Sequence, residues 1–510
     1  MYTVKVFKRR VGITGLRACG KTTFLTSLIN HLQYHSPDIE HNFQLAAENH
    51  VKIKKFKELE VRKGQNRFPY TNYRNELIQK SQWPIKTTDC SYYRCTFQRS
   101  DFKSILGFLG PLDIELEFFD FPGDRLADIG IAEAPNYRLW SAEILQKFEN
   151  ENGYKEHASD FLHAVSQDNI NESQVIRAYK VLLARLLKYH FRALITPSTF
   201  IVDRNGSDEL SYELLEKASS LSEIEHIVEH RIVGINKESQ FTPLPSNVSS
   251  RSKQNKRLVK LFAKRYSQYR KDVVLPIVKY LRHCHRLIIL VDIAEVLTNG
   301  PGMYNDTQAI IEQACNTLDP GKNKVEQYIS AGLKRLSGDP IIKGGVLSWK
   351  PKGISRLAFV ASKIDKVHRK DRKHLLTLLE EMTRKPTNDI EGATIKHFTC
   401  SAIVSSRSDD SDIIPGEDGK EYRRLIGFPL KDAHGNPLPT PPIGSSRDDH
   451  LRKLERVSIV PPQWPRDNWK KGDFQFFDLY PFISERKDVP PKQINLDTIF
   501  NFIMDETLFE

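Results

Sequence analysis

No stretch of this 510-residue chain is apolar over the roughly 18–20 positions that a membrane-crossing helix needs; the densest apolar run is Leu287–Ile293. The first residues lack the apolar core and small-residue cleavage site of a signal peptide, so export is not expected. Cysteine is scarce: there are six, Cys19, Cys90, Cys95, Cys284, Cys315 and Cys400, with no Cys-x-x-Cys pair. This excludes a disulfide framework and a zinc-ribbon site, and it fits free thiols in a reducing cytoplasm. His283 and His285 flank Cys284. With no second cluster to join them, they read as helix-end residues rather than ligands. Internal repeats and long low-complexity tracts are also missing. What is present is ordinary for a core-forming protein, with 39% hydrophobic and 27% charged residues, which excludes a wholly disordered chain. The formal net charge of +12 is mild for this length; it fits an anionic partner or plain solubility.

The most informative segment lies near the N-terminus. Val11-Gly12-Ile13-Thr14 reads as a short buried strand. Gly15-Leu16-Arg17-Ala18-Cys19-Gly20-Lys21-Thr22 follows and satisfies G-x-x-x-x-G-K-[ST]. Thr23 onward places apolar groups at 24, 25, 28, 29 and 32, the spacing of an amphipathic helix. Strand, glycine loop and helix in that order make a P-loop. The backbone amides around residues 16–22 can cradle phosphates at a helix N-terminus, Lys21 can reach the β- and γ-phosphates, and the Thr22 hydroxyl can ligate Mg²⁺.

Three further segments bear on the nucleotide. Residues 112–118 alternate apolar and acidic side chains, as in a strand with one wet face, and end in Asp120-Phe121-Pro122-Gly123. Asp120 has the chemistry to hold Mg²⁺ in the Walker-B manner, and D-x-x-G resembles the motif whose glycine amide senses a γ-phosphate in Ras-like GTPases. A second strand, Arg356–Ala361, runs into Ser362-Lys363-Ile364-Asp365. This resembles the N-K-x-D motif, in which the aspartate accepts guanine N1–H and the 2-amino group and the lysine lies over the base. Adenine offers neither donor, so a buried carboxylate would be left unpaired. A third strand, Thr394–Thr399, leads to Ser401-Ala402, resembling the motif whose alanine amide meets guanine O6. Upstream, Trp83-Pro84-Ile85-Lys86-Thr87-Thr88 precedes a strand-like stretch at 91–98. By chemistry either threonine can complete the Mg²⁺ shell when a γ-phosphate is present.

With these motifs, the chain resembles the YcjX family of bacterial P-loop GTPases. The segments carrying the likeness are Gly15–Leu32, Trp83–Thr88, Phe118–Ile129, Arg286–Leu297 with Asn299-Gly300-Pro301 after it, Ala361–Val367 and Val489–Leu508. The resemblance implies an α/β fold, a Ras-like P-loop NTPase G domain with a mainly helical insertion, and an association with stress responses. It also places the family's switch threonine on Thr87. Two departures stand out. The family loop carries its arginine one position later than Arg17, and Asp124 stands where Ras has its water-positioning glutamine. A carboxylate cannot donate to the γ-phosphate as an amide does, so slow hydrolysis, or hydrolysis helped by a protein activator, is expected.

The organisation expected is a first part of the G domain over 1–123, a mainly helical insertion over 124–285, and a second part over 286–510 with a loop or hairpin excursion at 405–450 and a C-terminal helix. Helical spacing runs over Arg138–Phe148, Val175–Phe191 and Tyr212–Ile227. The last part of the insertion holds Lys253, Lys256, Arg257, Lys260, Lys264, Arg265, Arg270 and Lys271 with no acid among them. An apolar stripe at 258, 261, 262, 266, 269 and 273 interleaves with these bases. Such a helix can touch an anionic membrane surface or simply pack its stripe on its own domain, and nucleic acid is the weaker reading. Pro276 should kink or end it. A second basic run at 366–374 reads as the solvated start of a G-domain helix.

The whole predicts a cytoplasmic, Mg²⁺-dependent GTP-binding protein with weak GTPase activity, switching between GTP and GDP forms, with peripheral contact at the inner membrane left open. In it, Lys21, Thr87 and Gly123 serve catalysis. Gly15 through Thr23 with Lys363, Asp365, Ser401 and Ala402 hold the nucleotide, and Thr22, Thr87 and Asp120 hold the metal. Two alternatives remain: an ATP-using P-loop enzyme, and a membrane- or nucleic-acid-associated scaffold whose nucleotide is structural.

Overall fold

The computed structural model describes residues 6–35, 43–45, 53–84, 89–99, 113–189, 193–201, 214–232, 234–318, 353–390, 392–409, 414–416, 421–432, 434, 436–441, 452–457, 469–484 and 486–504. Its centre is a seven-stranded sheet. Five parallel strands form its body: β1 (Val6–Gly15), β4 (Asp113–Asp120), β5 (Arg286–Val291), β6 (Arg356–Ala361) and β7 (Thr394–Thr399). β2 (Ile53–Leu59) and β3 (Ser91–Arg99) add antiparallel to one side, so the order is β2-β3-β4-β1-β5-β6-β7. This is an α/β, Ras-like P-loop NTPase G domain carrying a mainly helical insertion.

Burial explains the strands. Every residue of β5 is buried, as expected of a parallel strand covered on both faces. It even includes Arg286, whose guanidinium donates to the carbonyls of Ile503 at 2.7 Å and His285 at 3.0 Å. β4 corrects the expectation of a wet face. Glu117 is only 4% exposed, with Arg62 at 3.0 Å and Arg10 at 3.8 Å, and Glu115 is held by Lys8 and Arg94 at 2.7 Å each. The alternation is real, but basic side chains, not water, meet the acids.

One sheet face is covered by α1 (Lys21–Gln33), α2 (Tyr70–Lys80) and the C-terminal helix Leu496–Met504, which share a core built on Phe24, Leu28, Ile288, Phe500 and Ile503. The other face is continuous with the core of the inserted helices, among them Tyr137–Asn150, Asn152–Ser166, Glu172–Lys188, Leu221–His230 and Lys253–Tyr269. The helix expected over 175–191 stops at Lys188. The one expected over 212–227 is interrupted at 218–220. The Ser220 side chain accepts from the Glu223 amide while the Glu223 carboxylate takes the Ser219 amide. This is a capping-box exchange that starts a new helix.

Lys253–Tyr269 is a helix, and its stripe of Leu258, Phe262, Tyr266 and Tyr269 is buried in the insertion's own core. Pro276 does not end it. A wide π-type turn over Arg270–Val274 intervenes, and the helix resumes at Leu275–Arg282 with the proline in its first turn, where the missing amide is not needed. The basic run at 366–374 leads into the helix Arg372–Met382 as expected, with Arg369, Lys370 and Lys373 exposed, but it is not solvated throughout. His368, Asp371 and His374 are buried, and Arg372 donates to the carbonyls of Ile364 and Val367. The 405–450 excursion contributes three strands, Ser406–Ser408, Ile414–Pro415 and Glu421–Gly427. They join Arg452–Val457 in a second, antiparallel sheet.

Candidate functional site

The C-terminal ends of β1, β4, β5, β6 and β7 meet at a cleft of about 300 Å³, the place where open parallel sheets bind ligands. β1 delivers the glycine loop. Gly15 sits at φ 144°, and a Cβ there would lie 2.1 Å from the Leu290 carbonyl oxygen on β5, so only glycine fits. Gly20 caps α1, and Lys21, Thr22 and Thr23 in the first turn of this 13-residue helix line the cleft, which places the positive end of the helix there. Arg17 through Thr23 line the cleft, whereas Gly15 and Leu16 form its back through their carbonyls. Lys21 folds over this loop, its Nζ donating to the Gly15 carbonyl at 3.1 Å and the Leu16 carbonyl at 2.8 Å. Burial pushes the neighbouring Cys19 thiol upward in pKa, which keeps it protonated.

Gly123 seats the second motif against the first. A Cβ at Gly123 would stand 2.2 Å from the Gly15 carbonyl oxygen and 2.6 Å from the Leu16 carbonyl carbon. Asp120 ends β4 fully buried, on the strand next to the glycine loop. The donor set at this end is a Thr22 hydroxyl and the Asp120 carboxylate, hard oxygens of the kind Mg²⁺ takes when phosphates and water complete its shell. Among the described residues no cluster of three or more histidine, cysteine or carboxylate side chains could hold a metal ion. The residues fit Mg²⁺ arriving with a phosphate better than a dedicated protein cage. Thr87 and Thr88 lie outside the described residues.

At the other end, Lys363 adopts a left-handed backbone at φ 55° and pairs through Nζ with Asp292 at 2.9 Å. A Cβ at Gly20 would lie 3.7 Å from its Cε, so the lysine stem runs along the glycine loop. Burial alone would raise the Asp292 pKa, but Lys363 and Lys366 outweigh it and hold the carboxyl below its ordinary value. The same pairing, with Glu295 behind it, holds the Lys363 ammonium above its ordinary range against burial. Ser362 Oγ is buried without a hydrogen-bond partner among the described residues, so the loop-to-loop bond an asparagine or threonine makes there is not made. Asp365 is buried, accepting from Ser401 Oγ at 2.6 Å and from the Ser405 amide at 2.7 Å. Ala402 lines the cleft, and its carbonyl accepts from Ser27 of α1 at 2.6 Å.

The glycine loop from Arg17 to Thr23, Gly123, Lys363, Asp365, Ser401 and Ala402 thus meet at one cleft. A sequence profile of the YcjX-like family, DUF463, matches residues 9–211 and 238–508. The chain belongs to the YcjX-like family. It is similar to a "Ras-like GTPase YcjX" of Shewanella oneidensis, 22% identical over 523 aligned residues covering 96% of this chain and 91% of that protein. A protein of the same name from Escherichia coli K12 is 23% identical over 516, covering 98% and 96%.

Some contributors escaped sequence reasoning, wholly or in their role. Asp292 follows a buried strand and caps the next helix, accepting from the Glu295 amide at 3.1 Å; its Asp-x-x-Glu spacing was a usable cap signal. Leu430, Asp478 and Leu479 reach the cleft from the C-terminal region, with no local pattern to announce them. Trp83 was noticed as a motif, but not its role: the indole donates to the Leu479 carbonyl at 2.7 Å. Membrane contact has a narrower basis than the sequence offered. Among the described residues no helix is long and apolar enough to cross a membrane, and the apolar stripe of Lys253–Tyr269 is already used internally.

Proposed function

We propose that this chain binds guanine nucleotides with Mg²⁺ and hydrolyses GTP slowly, acting as a nucleotide-controlled switch in a stress response. The observation that carries the reading is convergence: Arg17 to Thr23 of the glycine loop and its helix, Gly123, Lys363, Asp365, Ser401 and Ala402 all line one cleft. Phosphates would enter at the α1 N-terminus, where Lys21 exchanges its two carbonyl partners for phosphate oxygens. Thr22 and Asp120 would hold Mg²⁺, which there supplies charge neutralisation for phosphoryl transfer. Thr87 is the residue proposed to complete the metal shell in the GTP form. Asp365, aligned by Ser401 and Ser405, would accept from the guanine edge, and Lys363 would lie along the base. A carboxylate follows Gly123, so no side chain there donates to the γ-phosphate, and turnover would await an activator.

The direct test is phosphate release from GTP and from ATP by the full chain with Mg²⁺. GTP turnover that disappears in Lys21→Ala, without matching ATP turnover, supports the reading; preferred ATP turnover would replace it with an ATP-using enzyme. Rapid single-turnover hydrolysis by the chain alone would remove the need for an activator.

A peripheral membrane contact belongs to the same reading. Lys253, Lys256, Arg257, Lys260, Lys264 and Lys271 are exposed on the helix and the turn after it, while Arg265 and Arg270 are engaged within the protein. The contact is then electrostatic, worth about 1 kcal/mol per basic side chain near an anionic surface, and nucleic acid is not needed to account for it.

A further inference from the structure

Asp365 offers the cleft less of its carboxylate than recognition of guanine would use. Guanine presents two donors on one edge, and a carboxylate has about four acceptor positions in all. Three at Asp365 are taken by the protein: Ser401 Oγ donates to Oδ1 at 2.6 Å, and the amide and hydroxyl of Ser405 both donate to Oδ2. The residue is also only 2% exposed.

A second carboxylate lines the same cleft. Asp478 comes from the C-terminal region, and its side chain is 76% exposed. Lys366, next in sequence to Asp365, donates from Nζ to its Oδ1 at 2.5 Å and holds the carboxyl below its ordinary pKa. Lys366 thus engages Oδ1, while the side chain as a whole stays exposed at the cleft wall. The backbone around Asp478 is pinned on three sides. The Leu430 amide donates to the Asp478 carbonyl and the Tyr480 amide to the Phe428 carbonyl, both at 2.8 Å. The Trp83 indole takes the Leu479 carbonyl at 2.7 Å. Leu430 and Leu479 give this wall an apolar surface beside the acid. An ionised carboxylate on a pinned backbone, next to an apolar patch, is an arrangement that can read a donor on a planar ligand.

We propose that Asp478 is a second nucleoside-recognising carboxylate, accepting a hydrogen bond from the bound guanine nucleoside through Oδ2. The inference rests on the guanine-nucleotide reading above. The donor is the exocyclic 2-amino group or a ribose hydroxyl, and the same experiment separates them.

The experiment is calorimetric binding of GDP, IDP, 2′-deoxy-GDP and 3′-deoxy-GDP, with ADP as reference, to the full chain and to Asp478→Asn. The substitution keeps the shape and an acceptor for Lys366 but removes the charge. GDP affinity should fall about 10- to 100-fold, as for a hydrogen bond to a charged group. If the 2-amino group is the donor, IDP binds both proteins alike. If a ribose hydroxyl is the donor, the corresponding deoxy-GDP binds both alike while IDP loses as much as GDP. Unchanged GDP binding overturns the proposal, and so does an equal loss for all four guanine and inosine ligands, the mark of a structural effect. Wild-type chain that binds ADP as well as GDP would instead sink the guanine reading itself.

Discussion

The Tyr269 hydroxyl donates to Asp128 Oδ2 at 2.7 Å, both residues buried, across 141 positions of chain. Asp128 lies in the 3-10 stretch Gly123–Ala132 that leaves the D-x-x-G glycine, and Tyr269 ends the basic helix of the insertion. Ser198 adds its amide at 2.9 Å and its hydroxyl at 2.6 Å to the same carboxylate, and Arg270 takes the carbonyls of Ile131 and Ala132. The segment that follows Gly123 is therefore held by the inserted helices. Removing the hydroxyl with Tyr269→Phe should cost about 1–3 kcal/mol, read as a lower urea midpoint with unchanged slope. An unchanged midpoint would mean the bond carries no stability.

Gly123→Ala tests the seat of that segment. The new methyl meets backbone atoms of Gly15 and Leu16 at 2.2–2.7 Å, and backbone cannot give way as a flexible side chain can. Overpacking of this kind costs about 1–3 kcal/mol. GTP hydrolysis should fall at least about tenfold, while GDP, which has no γ-phosphate to be sensed, should lose less affinity. Equal losses for both would assign Gly123 to the loop rather than to γ-phosphate sensing.

The Lys363–Asp292 pair gives a pH signature. Asp292 is held below the ordinary value of 3.8. Its contribution is present above that value and lost as pH falls through the lowered native one. Asp292→Asn keeps a helix-capping side chain but leaves Lys363 without its counter-charge. It should destabilise the fold at pH 7 by about 1.5–3 kcal/mol, and the gap from wild type should close below pH 3.8. A gap that stays constant into acid would show that capping or packing, not charge, is what Asp292 supplies.

The basic helix yields a salt signature. Flotation with anionic vesicles should retain the full chain at low salt and release it as ionic strength shortens the screening length. Replacing Lys256, Lys260 and Lys264 with glutamate should abolish retention without unfolding, because all three are exposed. Retention that survives the triple change would move the contact elsewhere, and neutral vesicles should never retain the chain.

The parts legible in sequence were those written in local chemistry. Gly15 to Thr22 announce their loop because a P-loop needs these residue types at fixed spacing, and β5 announces a central strand because burial on both faces favours the unbroken apolar run Leu287–Val291. The Ser220–Glu223 cap was also written locally, though it was overridden by the longer helical spacing around it. Glu117 was misread because alternation shows that one face differs, not what covers it; Arg62 comes from far along the chain. That Pro276 would end the helix was not borne out, because the π turn over Arg270–Val274 that precedes it can only be seen in three dimensions. The wall formed by Leu430, Asp478 and Leu479 left no trace in sequence, since its position is set by pairing with Phe428 and Trp83 rather than by any pattern of its own.

The central claim is that this cleft selects guanine, and calorimetric titration of the full chain with GDP and with ADP in Mg²⁺ tests it most directly. Asp365, aligned by Ser401 and Ser405, predicts GDP binding about 100-fold tighter than ADP, since an adenine edge brings no donor to the acceptor position that Asp365 keeps for the base. Equal affinity for the two nucleotides would contradict the account.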